Sequence, residues 1–406
     1  MKVLYFHQYF STPDGASGSR PYMLSKSLIE KGHEVTVICA NNELTNTGLN
    51  GSYKHGKRTG YVDGIRVVEI DLYYSNSLSL FKRTIVFLRF SLKATFIALS
   101  EEYDLIFTSS TPLTISIPGI IAKIFRRKFF IFEVRDLWPE LPKALGLKNP
   151  LILLAMSLLE KISYKSADHL IALAPGIADG ITRHGISKDK VSLIPNGCDL
   201  GLFSNKKAKS SYKDISDTDF VAIFAGAHGP ANGLEILIDV AEILKNRNIT
   251  NIKILLVGDG KLKASLIKRK EIKKLNSIIF YDPLPKKELS MLFSRANIGL
   301  QILANIPEFY YGTSPNKFFD YISAGLPVIN NYPGWLAEII EENNCGFSIP
   351  PDKPDVFADV LVYASNNEKK IESMGKKSMN LAVEVFNRKK LSNKFVEIIE
   401  LFQVKN

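Results

Sequence analysis

The amino-acid sequence predicts an α/β protein of two doubly wound, Rossmann-like domains that face one another across a cleft. Three observations predict it. The 406 residues exceed what one ordinary core holds. Short apolar runs alternate with helical stretches, the pattern of buried parallel strands joined by crossover helices. That rhythm stops at a polar, charged stretch over 204–219 and then restarts. The expected division is a first domain over 1–203, a link over 204–219, a second domain over 220–386, and an amphipathic packing helix over 387–406.

The elements follow in order. An apolar strand over 3–7 leads into the glycine-bearing turn 14–20, and a helix over 21–31 ends at Gly32. Further strands are expected over 34–40, 65–70, 105–108, 129–134, 169–173 and 191–195. Beyond the link, a strand over 220–225 meets the loop 226–233 and a helix over 234–245. Strands over 252–257, 278–281 and 298–303 follow, with a helix starting at Lys286 after the loop 282–285. Two doubly wound sheets place ligand crevices at the carboxyl ends of their strands, so the cleft is the expected active site.

Composition excludes several classes. Apolar content is 46% and charged content 23%, as in folded soluble proteins. Cys39, Cys198 and Cys345 are few, far apart and odd in number, which reads as a reduced, cytoplasmic chain without structural disulfides. The first residues run straight into a strand pattern rather than a signal peptide. The net charge of +11 suits anionic partners, but no nucleic-acid motif is present. Two basic–aromatic stretches stand out, 81–99 and 124–130. In the first, Lys82, Arg89 and Lys93 form one stripe on a helix otherwise mostly apolar. Two readings stand: peripheral attachment to an anionic membrane surface, or a buried helix whose cations snorkel. Charges interrupt every long apolar run, which argues against a spanning helix.

The most informative chemistry lies in 314–329. Ser314 and Pro315 suit a helix start whose free N–H groups, Asn316 among them, meet an anion. Lys317 and Asp320 are three apart, so both can point to one side of that helix. One neutralises a phosphate, and the other accepts hydrogen bonds from sugar hydroxyls. In the loop 226–233, Gly226, Gly229 and Gly233 let backbone approach a ligand, with His228 and Asn232 as side-chain donors. An ordinary exposed turn is the competing reading there.

The other domain offers its own groups. Gly15 and Gly18 sit in the turn after the first strand, and Arg20 is placed to meet the same phosphate. The strand over 129–134 ends in Glu133, Arg135, Asp136 and Glu140, poor choices for a core. Asp136 is the candidate for contacting an acceptor hydroxyl as base or orienter; a structural Arg135–Asp136 ion pair is the alternative. His7 ends the first strand and is placed for function. The pair Asp217 and Asp219 precedes a strand rather than following one, so it is not read as a metal site, and no metal-ligand spacing appears elsewhere.

Four ordered stretches, 31–37, 191–199, 254–260 and 320–328, resemble the signature segments of glycosyltransferase family 4. The stretches 7–10, 133–140 and 314–320 are most similar to its colanic-acid and O-antigen transferase subgroup, to which L-fucosamine transfer is ascribed. The resemblance implies the GT-B architecture, an N-terminal acceptor domain, a C-terminal nucleotide-sugar domain, and a retaining reaction with no metal and no cofactor beyond the sugar nucleotide. It places Asp320 at the ribose, Pro283 and Leu284 at the base, and Gly18 near the donor phosphates. This chain departs from the family at Ala227 and Asn232, where an arginine and a lysine usually meet the diphosphate, and at Gly312, where a glutamate is usual. Lys317 is the expected substitute, helped by His228 and helix N-termini.

The reading is a hexosyltransferase-type enzyme moving an N-acetylhexosamine-type sugar from a UDP-sugar to a polyprenyl-diphosphate-linked glycan, with His7, Arg135 and Glu140 on the acceptor side. It would work in the cytoplasm, on the inner face of the membrane if attached. A nucleotide-sugar 2-epimerase and a non-catalytic nucleotide-binding subunit are the alternatives.

Overall fold

The computed structural model describes residues 1–15, 19–43, 45–75, 78–144, 146–203 and 214–403. Gly18, most of the expected link, and residues 404–406 of the expected packing helix lie outside them. Contacts divide the chain into two units. The first is Met1–Pro195 with Tyr311–Ser314 and Lys389–Asn406; the second is Asn196–Tyr310 with Pro315–Arg388. The boundary therefore falls at Pro195–Asn196, ahead of residue 203. The last helix is an integral part of the first unit's core.

The first unit is an eight-stranded sheet. Its strands are β1 Lys2–Phe6, β2 Glu34–Asn42, β3 Lys57–Val62, β4 Ile65–Tyr74, β5 Leu105–Ser109, β6 Phe129–Val134, β7 His169–Ala172 and β8 Val191–Leu193. They run in the order β3-β4-β2-β1-β5-β6-β7-β8, all parallel except the edge strand β3. Val3 of β1 pairs with Val35 of β2 and Leu105 of β5, so the most apolar strands hold the centre. One sheet face, with Val3, Tyr5, Val37, Phe107 and Ile131, packs against Leu24 and Leu28 of the helix Arg20–Glu30 and Phe395 and Ile399 of the last helix, Arg388–Glu400. The opposite face carries Phe130, close enough to Gly119 that no side chain fits there, and Phe132 beside Tyr164. The helices Leu80–Ser100, Ser116–Arg126 and Pro150–Ser166 cover that face.

The second unit is a wholly parallel six-stranded sheet: β9 Phe220–Ala225, β10 Ile252–Val257, β11 Ile278–Tyr281, β12 Ile298–Gln301, β13 Val328–Asn330 and β14 Gly346–Ser348, in the order β11-β10-β9-β12-β13-β14. Strands β9 and β10 are almost continuously apolar, as both-faced burial requires. The predicted bounds of β6, β9, β10 and β11 match the structure; β3 and β14 are additions to the predicted set. Cys39, Cys198 and Cys345 are free and buried.

Candidate active site

In the second unit the candidate side chains gather at the carboxyl ends of β9, β10 and β11. Gly226 N–H donates to Val257 O at 2.9 Å, Gly258 N–H to Tyr281 O at 3.1 Å, and His228 N–H to Asp259 O at 2.8 Å. These bonds lace the three strand ends into one floor. The lacing tolerates no side chain at Gly258, where a Cβ would sit 2.0 Å from Gly226 O. Its φ of +142° adds strain for any L-residue. Gly258→Ala is expected to cost on the order of 2–3 kcal/mol, read as a lower thermal midpoint.

Lys317, in the first turn of the helix Asn316–Ser323, reaches back over this floor. Its ammonium lies 4.4 Å from the centroid of the Phe224 ring and donates to Asn232 Oδ1 at 2.7 Å. Asn232 in turn donates through Nδ2 to Ala227 O at 2.8 Å, which fixes which way its amide points. A side chain at Gly226 would meet Lys317 Cε at 3.1 Å, so that glycine leaves the lysine its path. Burial lowers the Lys317 pKa from 10.5 to about 7. Near neutral pH this amine sits at its titration point, short of counter-charge and ready to take up a proton beside an anion. It reaches the loop 226–233, which holds no lysine or arginine of its own.

At His228 the structure sets aside the competing reading of an exposed turn. The residue is fully buried, with its ring between Phe224 and Phe280. Neither ring nitrogen has a partner among the described residues. Burial, reinforced by Lys263, lowers its pKa to about 4. It is neutral at physiological pH, so it cannot add the positive charge expected of it; an N–H donor is what it offers. Gly229 and Gly233 bracket the short turn Pro230–Asn232 ahead of the helix Glu235–Asn246.

Asp320 is buried on the same helix as Lys317 but faces different neighbours. Its Oδ1 accepts from Lys286 Nζ at 3.2 Å. Lys286 also lies 3.7 Å from Asp199 Oδ2, and Asp199 Oδ1 accepts from Arg388 Nε at 2.5 Å. Burial raises the Asp320 pKa, and Lys286 opposes that shift. Sequence reasoning misses Lys286. One signal marks it: a lysine in the first turn of the helix Lys286–Arg295 opposes the macrodipole, as a residue with a partner elsewhere does. Pro283 is exposed and Leu284 half-buried in the loop before that helix. Asn316 is half-buried at the first helical position, after Pro315; Ser314 falls in the first unit. A groove of about 800 Å³ opens elsewhere, at the amino ends of the strands beside Phe220, Asn251 and Asn297, and contains none of these groups.

In the first unit, Arg20 is not available to a ligand. It donates through Nε and Nη2 to Glu133 Oε2, at 3.0 and 2.6 Å, and to the carbonyls of Pro195 and Ile194. Ser109 Oγ donates to the other Glu133 oxygen at 2.6 Å. Glu133 is therefore structural. Asp136 accepts from Thr111 Oγ1 at 2.6 Å, and Arg135 turns to His7, with Nη1 at 2.9 Å from Nε2. The Tyr9 N–H meets His7 Nδ1 at 3.2 Å. Burial and the nearby Arg135 hold the His7 pKa well below its ordinary value, so the ring is neutral. Asp136, Arg135 and His7 thus occupy the carboxyl ends of β1 and β6. Glu140 stands apart, exposed and 3.4 Å from Arg183. Among the described residues no three His, Cys, Asp or Glu side chains gather as a metal site.

Two family models match the chain in order: "Glycosyl transferase 4-like domain" over residues 15–197 and "Glycosyl transferases group 1" over residues 205–380. Among solved structures, the sucrose-phosphate synthase of Thermosynechococcus elongatus superposes with a TM-score of 0.73 at 16% identity, covering 100% of both chains. Anabaena HepE in complex with UDP-glucose gives 0.68 at 17% identity, over 98% of this chain and 99% of that one. WaaG, a glycosyltransferase involved in lipopolysaccharide biosynthesis, gives 0.67 at 14%, over 98% and 99%. These likenesses show a shared GT-B fold. No curated protein matches the chain by sequence.

Proposed function

Because this chain belongs to the GT-B glycosyltransferases of family 4, through the two domains that match it from residue 15 to residue 380, we propose that it transfers an N-acetylhexosamine-type sugar from a UDP-sugar to a lipid-linked glycan, with retention of configuration, in cell-surface polysaccharide assembly. The observation that carries the donor half is Lys317, placed by Asn232 over the glycine floor. It supplies the positive charge that the loop at Ala227 and Asn232 lacks. HepE in complex with UDP-glucose supports the nucleotide class. WaaG, from lipopolysaccharide biosynthesis, supports the acceptor class.

The residues divide the work. Lys317 and the N–H groups opening the helix Asn316–Ser323 bind the diphosphate and stabilise it as charge develops on the leaving oxygen. Asp320, steadied through Oδ1 by Lys286, turns its other oxygen to the ribose hydroxyls. Pro283 and Leu284 border the base, and His228 donates one hydrogen bond. In the reaction the sugar C1–O bond to UDP breaks and a C1–O bond to the acceptor forms on the same face. The acceptor proton passes to the departing phosphate oxygen, and Asp136 orients the attacking hydroxyl.

The test is product analysis. Purified protein is incubated with UDP-N-acetylhexosamines and a polyprenyl-diphosphate-linked sugar, and the lipid product is weighed by mass spectrometry. An added hexosamine with the α-linkage of its donor is expected. Free UDP and an epimerised sugar, formed without any acceptor, would replace this reading with the epimerase. Asp320→Ala is expected to raise the KM for donor by about tenfold, the scale of one charge-assisted hydrogen-bond pair.

A further inference from the structure

The helices Leu80–Ser100, Ser116–Arg126 and Pro150–Ser166 lie side by side over one face of the first sheet. Their outer surfaces are not those of ordinary solvent-facing helices. At about 100° per residue, Phe81, Leu88, Leu92, Phe96 and Leu99 fall on one stripe of the first helix. All five are exposed, Leu92 at 60% and Phe96 at 65%. The opposite side, with Phe90, Ala94 and Ala98, is buried, so the helix is apolar on two faces. The third helix repeats the pattern. Leu151, Leu154, Leu158 and Ile162 share its outer stripe, with Leu154 exposed at 67%. Between them the second helix ends in Ile124 and Phe125, the latter 70% exposed.

Charge completes the picture. Lys82, Arg89 and Lys93 flank the first stripe, Arg127 follows the second helix, and Lys161 and Lys165 border the third. The only acidic residue in all three helices is Glu160, which is buried and bonded to Trp138 N and Tyr164 Oη. A surface meant for water would carry both signs. A surface for another protein's core would not ring itself with like charge alone. An apolar stripe edged by unopposed cations suits the boundary of an anionic bilayer, with acyl chains against the leucines and headgroup phosphates against the lysines. No helix among the described residues is long and apolar enough to cross a membrane.

We infer that this three-helix face is the protein's docking surface for an anionic lipid bilayer, and that Pro150–Ser166, which lies outside the basic–aromatic stretches 81–99 and 124–130, is an essential part of it. Asn149 caps that helix by accepting from Leu151 N and Ile152 N, so the chain presents Leu151 at the tip of a well-ordered helix start. The inference gives the lipid-linked acceptor reading its membrane, and rests on that reading only for its purpose.

The experiment is co-flotation of the whole chain with phosphatidylglycerol–phosphatidylethanolamine vesicles, in the absence of donor and acceptor. Binding is expected there and not to pure phosphatidylcholine vesicles. Lys82→Gln with Arg89→Gln and Lys93→Gln should weaken it by about a hundredfold at low salt. Leu154→Glu with Leu158→Glu should abolish it, while leaving the thermal midpoint and UDP binding unchanged because both leucines are exposed. No flotation of the wild type, or equal flotation of the variants, overturns the inference. So does light scattering that shows a dimer which the Leu154/Leu158 variant dissociates. Sugar transfer to a water-soluble acceptor, measured alongside, separates failure of docking from failure of the enzymatic reading.

Discussion

Lys317→Ala should lower kcat/KM for sugar transfer by on the order of 10²–10³-fold, the scale of losing one preorganised charge from a leaving-group site. The cause is specific to this chain. Ala227 and Asn232 leave the glycine loop without a cation, and Lys317 reaches it from another element. Asn232→Ala should cost less, about fivefold, because it frees the ammonium without removing it. The pH dependence follows from the lowered pKa. In the free protein Lys317 loses its proton near pH 7; against a bound diphosphate it keeps that proton to higher pH. Binding therefore takes up a proton, and UDP affinity should fall by up to about tenfold per pH unit above pH 7, with a flat profile in Lys317→Ala. Isothermal titration in two buffers of different ionisation enthalpy checks the proton directly.

The same lysine has a stability signature of opposite sense. Unfolded, it holds its proton to 10.5; folded, it releases it near 7. Between those values the unfolded chain binds more protons, so this lysine makes stability rise with pH across that window. Lys317→Met should remove the dependence and raise stability near neutrality by on the order of 2 kcal/mol, while lowering transfer as far as Lys317→Ala does. A variant that is more stable and less active places the lysine in function; one that is less stable and less active would make its role structural.

Arg20→Ala should be the most damaging single change to the first unit, costing about 3–5 kcal/mol. It leaves Glu133 as an uncompensated carboxylate buried at the carboxyl end of β6 and orphans the carbonyls of Ile194 and Pro195. Glu133→Gln should cost less, because an amide still accepts from Arg20 and Ser109. The pair of melts discriminates. If Arg20→Ala melts like the wild type but loses donor binding, the arginine serves a ligand, as its position after the glycine turn suggests.

Much of the fold is legible in the residues alone. Buried parallel strands are continuous apolar runs closed by turn residues, and so 129–134, 220–225, 252–257 and 278–281 are readable to the residue. Pro285 announces the helix at Lys286 for a similarly local reason. The edge strand Lys57–Val62 is not readable, because its alternating, half-polar sequence carries no core signal. Nor is Gly346–Ser348, whose three residues are too few for any period.

By itself, then, the chain determined its two doubly wound halves and nominated Lys317 and Asp320, since periodicity, caps and turns act over a few neighbouring residues. Tertiary structure alone decided who meets whom: Lys317 with Asn232, Asp320 with Lys286, Arg20 with Glu133, and His228 with two aromatic rings instead of water. It also decided that the leucines of Pro150–Ser166 point outward. Those outcomes depend on the reach of side chains across topological crossovers, and on how much water each group loses there.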